Sequence, residues 1–290
     1  MDILSVDDLS DAQIGALVDR AIALHQGGHQ AGGREGRIVF NLFYEASTRT
    51  LMSFATATHR LGAAAITLPV EQSSVKKGET LGDTLRTLDA MRPDALVIRH
   101  RDNGAAHAAA EIMACPVVNA GDGTNEHPTQ ALLDAAAIRH RLGRIAGLKV
   151  AICGDIKHSR VARSNAKLLS RLGAEVRLAG PPELMPADGA RLTVDQAIAG
   201  ADIVMMLRVQ RERLDEEFGD APGEYLRQFG LTAARFATAG PGALVMHPGP
   251  MNRGVEIDGA VADDPDRSLV GLQVEMGVAT RMACLELLLA

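Results

Sequence analysis

The sequence predicts an α/β protein of two doubly wound domains, each a mostly parallel sheet flanked by helices. Three observations carry this. The chain has 290 residues, 47% of them hydrophobic, more than one ordinary core spans. Short apolar runs alternate with helical segments from end to end, and the runs read as apolar on both faces, as in parallel strands covered by helices. The alternation restarts at LKVAIC (148–153) after one long helix, which divides the chain there.

The elements follow in order. SDAQIGALVDRAIALHQ has apolar residues at helical spacing, and Ser10 with Gln13 fits a capping box. RIVFNLF (37–43) is a buried strand after Gly36. Segment 48–61 is a helix with Leu51, Ala55, Thr58 and Leu61 on one face, stopped by Gly62. AAAITL (63–68) is a strand, 70–79 a polar loop, and 80–91 a helix with Leu81, Leu85 and Leu88 in phase. A strand at 94–98, a helix at 105–114, a strand at 116–120 and a loop at 121–127 lead to the long helix 128–142, which ends at Gly143. The second series runs strand 148–153, helix 160–172, strand 174–180, a short helix near 193–199, and strand 202–207. Helical segments near 222–238, strand 243–247 and a last helix at about 270–289 complete it.

Composition excludes several classes. Net charge is −6 and aromatics are 3% with no tryptophan, which argues against nucleic-acid binding and base stacking. No apolar run approaches the roughly 18–20 residues that span a bilayer. MDILSVDDLSDAQ lacks the basic and apolar regions of a signal peptide, so the expected location is cytoplasmic, with no membrane. Cys115, Cys153 and Cys284 are scattered and form no C-x-x-C, which suggests a reducing compartment and small buried hydrophobes. No cluster has metal-ligand spacing, and VAICGD has one glycine where a dinucleotide fingerprint needs three, so neither metal nor cofactor is expected.

Ligands of doubly wound sheets sit at the carboxyl ends of the strands, so the loops there carry the chemistry. ASTRT follows strand 37–43 and opens a helix. Helix N-termini bind anions; the hydroxyls of Ser47, Thr48 and Thr50 add donors, and Arg49 adds a fork that matches phosphate. A plain Ser/Thr cap with a solvent-facing arginine is the alternative. In SSVKKGE, Ser73, Ser74, Lys76 and Lys77 could reach an anion from a loop or could simply be solvated. Arg99 lies at a strand end, and His127 and Gln130 flank a helix start at Pro128. Histidine can donate to a carbonyl oxygen, and glutamine can donate and accept. In the second half, Arg160, Arg208 and Gln210 suit a ligand with carboxylates, and Gly249–Pro250 is a tight turn or a cis peptide. There is no evident nucleophilic triad; the groups suggest orientation and charge stabilisation.

FYEASTRT, SSVKKGET, the Arg99 loop, EHPTQALLD, GDIKHSR, LRVQRER and HPGPMNRGVEI together resemble the motifs of aspartate carbamoyltransferase catalytic chains, in the same order over essentially the full chain. The resemblance implies transfer of a carbamoyl group from carbamoyl phosphate to L-aspartate, giving N-carbamoyl-L-aspartate and phosphate in pyrimidine biosynthesis. It implies a carbamoyl-phosphate-binding domain at 1–137, rejoined by the C-terminal helix 272–290, and an aspartate-binding domain at 138–271. Ser47, Thr48, Arg49 and Thr50 match the phosphate cradle; Arg99, His127 and Gln130 match the groups around the carbamoyl carbonyl. Arg160, Arg208 and Gln210, with Lys77, match the aspartate contacts. Ser73 and Lys77 match a loop given to a neighbouring subunit's site, and Gly249 and Pro250 a backbone contact with carbamoyl phosphate. Arg49, Lys77, Arg99 and His127 are the implied catalytic set. The implied assembly is a homotrimer with shared active sites, which regulatory or dihydroorotase chains join in some members. Ala46 stands where many relatives have proline, and segment 180–195 looks shorter than usual. An ornithine carbamoyltransferase would differ at HPTQ and HPGP and would need carboxylates for a cationic side chain. A non-catalytic homologue would be expected to lose Lys77, Arg99 or His127.

Overall fold

A computed structural model of the chain describes residues 1–29, 32–68, 70, 78–187, 192–209 and 222–290. The chain folds as two units. Unit 1 comprises Met1–His140 and Val274–Ala290, and unit 2 comprises Arg141–Gln273.

Unit 1 runs α1 (Asp11–Gln26), β1 (Ile38–Phe43), α2 (Thr48–Arg60), β2 (Ala64–Leu68), α3 (Leu81–Asp89), β3 (Ala95–His100), α4 (Ala105–Ile112) and β4 (Val117–Asp122). Then α5 (Pro128–Leu142) leads out of it. Its sheet is parallel throughout, in the order β2-β1-β3-β4. The chain winds outward from β1 to β2, then crosses to β3 on the other side, so the switch point lies between β1 and β3. On one face Phe40 and Leu42 of β1 pack with Leu85 and Leu88 of α3 and Ala106 and Ala109 of α4.

Unit 2 repeats the plan with β5 (Lys149–Cys153), α6 (Arg160–Arg171), β6 (Glu175–Ala179), α7 (Val194–Ile198), β7 (Ile203–Met206) and β8 (Leu244–Met246). Short helices α8 (Pro222–Gln228) and α9 (Ala233–Phe236) precede β8, and α10 (Gly259–Ala262) follows it. The sheet order is β6-β5-β7-β8, all parallel, with its switch point between β5 and β7. Its core joins Ala151, Val204 and Val245 of the strands to Ala197 and Ile198 of α7 and Phe236 of α9. The last helix, α11 (Val270–Leu288), starts in unit 2 and belongs to unit 1 from Val274 onward.

Local sequence explains most of these limits. Ser10 and Gln13 form the expected reciprocal cap on α1, and Gly62 and Gly143 have φ of 83° and 73°, the left-handed backbone that ends a helix cheaply only at glycine. Three expectations need correction. The strands are not all buried on both faces: Ala64–Thr67 of β2 are exposed and β6 is mostly half-exposed, because both are edge strands. The buried face of α2 is Thr50, Ser53, Phe54, Ala57 and Thr58; of the expected face Thr58 and Leu61 are buried, but Leu51 and Ala55 are only half-buried. The strands expected at 94–98 and 116–120 run on to His100 and Asp122, so Arg99 lies within β3 rather than beyond it. The N-terminal residues also reach the sheet: Ile3 bridges Val118 in parallel, with Ile3 N donating to Val117 O at 2.9 Å. No helix among the described residues is long and apolar enough to cross a membrane.

Candidate functional site

In unit 1 the candidate groups lie at or just beyond the carboxyl ends of three adjacent strands, β1, β3 and β4. After β1, Ser47 is the N-cap of α2, but its hydroxyl makes no capping hydrogen bond. Ser10, Thr80, Ser159, Thr193 and Thr232 all cap their helices through the side chain. The Ser47 hydroxyl is therefore not committed to its own helix. Thr48 and Arg49 are exposed in the first turn, and Thr50 is buried. A helix start offers unpaired backbone donors, and these side chains stand at that end of α2.

β3 carries Arg99 in register with Phe43, and Tyr44 N donates to Arg99 O at 2.9 Å. That pairing brings Arg99 beside the segment entering α2. Its side chain is largely buried, with Nε 3.2 Å from Glu45 Oε2 and Nη1 donating to Ala120 O at 3.2 Å. The guanidinium is thus held from two sides. Beside it, the Tyr44 and His100 rings meet edge to face at 4.6 Å. His100 Nδ1 accepts from Asp102 N at 3.0 Å, which places the proton of the neutral ring on Nε2. Burial lowers its pKa.

His127 and Gln130 follow β4, both buried at the start of α5, where His127 O accepts from Gln130 N at 3.0 Å. The preceding loop is braced by Asp122. Its carboxylate accepts from Gly104 N at 2.7 Å, Asn119 Nδ2 at 2.9 Å, Glu126 N at 3.0 Å and Asn125 Nδ2 at 3.2 Å. Gly123, at φ 48°, is required there, since a Cβ would lie 2.0 Å from Asn103 Oδ1.

In unit 2 the same logic recurs. Arg160 opens α6 after β5, half-buried, and Arg208 is exposed just beyond β7. Leu207 N donates to Cys153 O at 2.8 Å, which keeps the two strand ends together. Asp155 is buried and accepts from His158 N at 3.1 Å and Nδ1 at 2.9 Å. After β8, Gly249–Pro250 is a cis peptide. His247 Nδ1 accepts from Gly249 N at 2.8 Å, so its Nε2 proton faces Glu256 Oε1 at 3.3 Å, both side chains fully buried. Asn252 Nδ2 donates to Val209 O at 2.9 Å, tying this loop to the Arg208 segment.

Ser73, Ser74, Lys76, Lys77 and Gln210 lie outside the described residues. Four supporting carboxylates were not singled out from sequence: Glu45, Asp122, Asp134 and Glu256. All lie inside or beside the motifs that were read, and Asp134 stands four residues after Gln130, a spacing that places two helical side chains together.

Fold and site define a two-domain α/β protein with basic and hydroxyl side chains gathered near the switch points of its parallel sheets. Comparison with known proteins narrows this. Residues 1–140 match the family model described as aspartate/ornithine carbamoyltransferase, carbamoyl-P binding domain, and 146–288 match its Asp/Orn binding domain. The aspartate carbamoyltransferase catalytic subunit of Parvibaculum lavamentivorans is 54% identical, over 99% of this chain and 90% of its own length. That of Rhizorhabdus wittichii is 59% identical over 87% of this chain and 82% of its own. Aspartate transcarbamoylase from Trypanosoma cruzi in complex with carbamoyl phosphate and aspartate superposes with a TM-score of 0.87 at 35% identity, covering 100% of this chain and 97% of that one. The chain belongs to the aspartate/ornithine carbamoyltransferase family, among its aspartate carbamoyltransferases, and is a carbamoyl-group transferase.

Proposed function

We propose that the protein transfers the carbamoyl group of carbamoyl phosphate to the amine of L-aspartate, giving N-carbamoyl-L-aspartate and phosphate, the committed step of pyrimidine biosynthesis. The aspartate amine attacks the carbonyl carbon, forming a C–N bond and losing a proton. The C–O bond to phosphate breaks, and the departing phosphate oxygen takes the electron pair and accepts the amine's proton. The T. cruzi enzyme has been solved with both substrates and with carbamoyl aspartate and phosphate, which supports this reading.

One observation carries it on this chain: the Ser47 hydroxyl, spared from capping, stands with Thr48, Arg49 and Thr50 at a helix start beside Arg99. In this reading they take the phosphate. Arg99, His127 and Gln130 take the carbamoyl group, where donors to the carbonyl oxygen stabilise the charge that builds in the transition state. Arg160 and Arg208 take the aspartate carboxylates. Gln210, Ser73 and Lys77 keep the roles the resemblance implies, as do the backbone groups of Gly249 and Pro250. The homotrimer, and any regulatory or dihydroorotase chain, likewise follow from the family. In support of a covered face, Met52 and Ile66 on α2 and β2 are both at least half exposed.

The test is a colorimetric assay of the carbamoylated product, with carbamoyl phosphate and either aspartate or ornithine, beside an Arg49→Ala variant. The expected result is product from aspartate alone, reduced at least about 100-fold in the variant, as for loss of a preorganised charged donor. Product from ornithine, or none from either acceptor with folded protein, would sink the reading.

A further inference from the structure

Asp134 lies within α5, fully buried, and accepts a hydrogen bond from Gln130 Nε2 at 3.0 Å. An ionised carboxylate has no hydrogen to give, so the amide must present its nitrogen to Asp134. Gln130 Oε1 is then the end left for a ligand. Without that partner the amide could turn over, since its two ends are nearly the same size. We propose that Asp134 is a positioning residue: it fixes the Gln130 amide so that Oε1 accepts from the amino group of the carbamoyl substrate and discriminates against acyl phosphates that lack N–H. This rests on the assignment of Gln130 to the carbamoyl group made above.

A second feature supports it. A fully buried carboxylate needs compensation, and α11 supplies a buried cation, Arg281. Its Nη1 donates to Gly277 O at 3.1 Å, and its guanidinium lies 5.1 Å from the centroid of the Phe54 ring of α2. Gly277 makes room for this fold-back, since a Cβ would stand 2.8 Å from Arg281 Nη1. Burial lowers the Arg281 pKa to about 10, while Cys284 and the charge of Asp134 act in the opposite direction. Apolar residues commonly serve a core as well as a buried pair of opposite charges does. A buried carboxylate held against the Gln130 amide, with a buried cation within electrostatic reach, points to orientation rather than stability.

The experiment uses the full-length enzyme and two probes: carbamoyl phosphate as substrate and acetyl phosphate, with methyl in place of amino, as competitive inhibitor. Gln130→Ala is the reference. Asp134→Leu, which keeps the size and removes the acceptor, should raise KM for carbamoyl phosphate about 3–10-fold, the worth of one hydrogen bond, and leave the acetyl phosphate inhibition constant within about twofold. Gln130→Ala should show the same split. Asp134→Leu removes the carboxylate whose charge acts on the buried Arg281, so the pair Asp134→Leu/Arg281→Met is made alongside to keep the fold; it removes both charges and should show the split too. A structural defect would weaken both acyl phosphates alike. Equal weakening, or no change, in a folded Asp134 variant overturns the proposal when Gln130→Ala shows the split. Absence of the split in Gln130→Ala itself removes the Gln130 assignment, and the proposal with it.

Discussion

At the scale of single residues, the buried thiols make a pH-dependent claim. The ordinary thiol value is 9.0, and burial pushes Cys153 and Cys284 up to about 12. Cys115, half-buried and near Asp89, is pushed up to about 11, burial again being the larger cause. These thiols hold their protons longer folded than unfolded. Their contribution is fully present below pH 9 and is lost as pH rises toward the folded values, because the unfolded chain releases protons that the fold retains. The urea midpoint should therefore fall between about pH 8 and about pH 10, and fall less in Cys153→Ala/Cys284→Ala than in the parent. An equal decline in both would exclude the thiols as its source. In native protein near pH 8, a thiol reagent should reach Cys115 slowly and the two buried cysteines not at all, with all three reacting after denaturation. Cys153 and Cys284 were readable from sequence as core residues, whereas Cys115, read the same way, is only half-buried at the edge of a core. Asp134 and Arg281 were not, because the burial of a charge depends on which distant element faces it.

At the scale of elements, α1 and α2 make a controlled comparison. Both begin with serine, but Ser10 caps its helix through a reciprocal box with Gln13 while Ser47 makes no such bond. Ser10→Ala should therefore cost about 1 kcal/mol of stability and leave kinetics alone. Ser47→Ala should change stability by less than about 0.5 kcal/mol yet raise KM for carbamoyl phosphate about 3–10-fold. Denaturation midpoints and KM values for both variants decide it; a Ser47 variant that loses stability with unchanged KM would make Ser47 an ordinary cap. The same helix shows where reading by apolar spacing fails. Ser53 Oγ donates to Arg49 O at 2.6 Å and Thr58 Oγ1 to Phe54 O at 2.8 Å, so these hydroxyls are satisfied by their own helix and can be buried. The inner face of α2 is thereby partly polar, and apolar residues at helical spacing fall partly on its flank, at Leu51 and Ala55. β2 misled in the opposite sense. AAITL is apolar, but an apolar run does not say what covers it, and as an edge strand it is left exposed.

At the scale of the whole molecule, the repeated βαβ plan and the break after the long helix were legible because they depend on alternation alone, which each short run declares locally. The return of the chain to unit 1 was not. Nothing in the apolar pattern of 270–289 says which unit the helix serves; only the family resemblance implied it. The structure gives that helix specific anchors in unit 1. Arg20 Nε and Nη2 donate to the two Glu286 oxygens at 2.7 Å each, and Arg34 Nη2 donates to Glu286 O at 3.3 Å. Met276, Met282 and Leu285 are buried along it, and Leu289 just beyond its end. At about 1.5–3 kcal/mol for each large apolar side chain, these four amount to roughly 6–12 kcal/mol, comparable to the roughly 5–15 kcal/mol of a whole domain. A chain ending at Gln273 should therefore lose the fold of unit 1, although all four of that unit's strands remain. Supplying residues 270–290 through a linker placed after His140, in a chain ending there, should restore it, because the missing helix is then present without unit 2. Thermal unfolding followed by circular dichroism separates the cases. A cooperative melt at the parent temperature in the truncated chain would mean that the helix decorates unit 1 rather than completing it. A cooperative melt only in the linked version would make α11 an integral part of the unit that holds Arg49, Arg99 and His127.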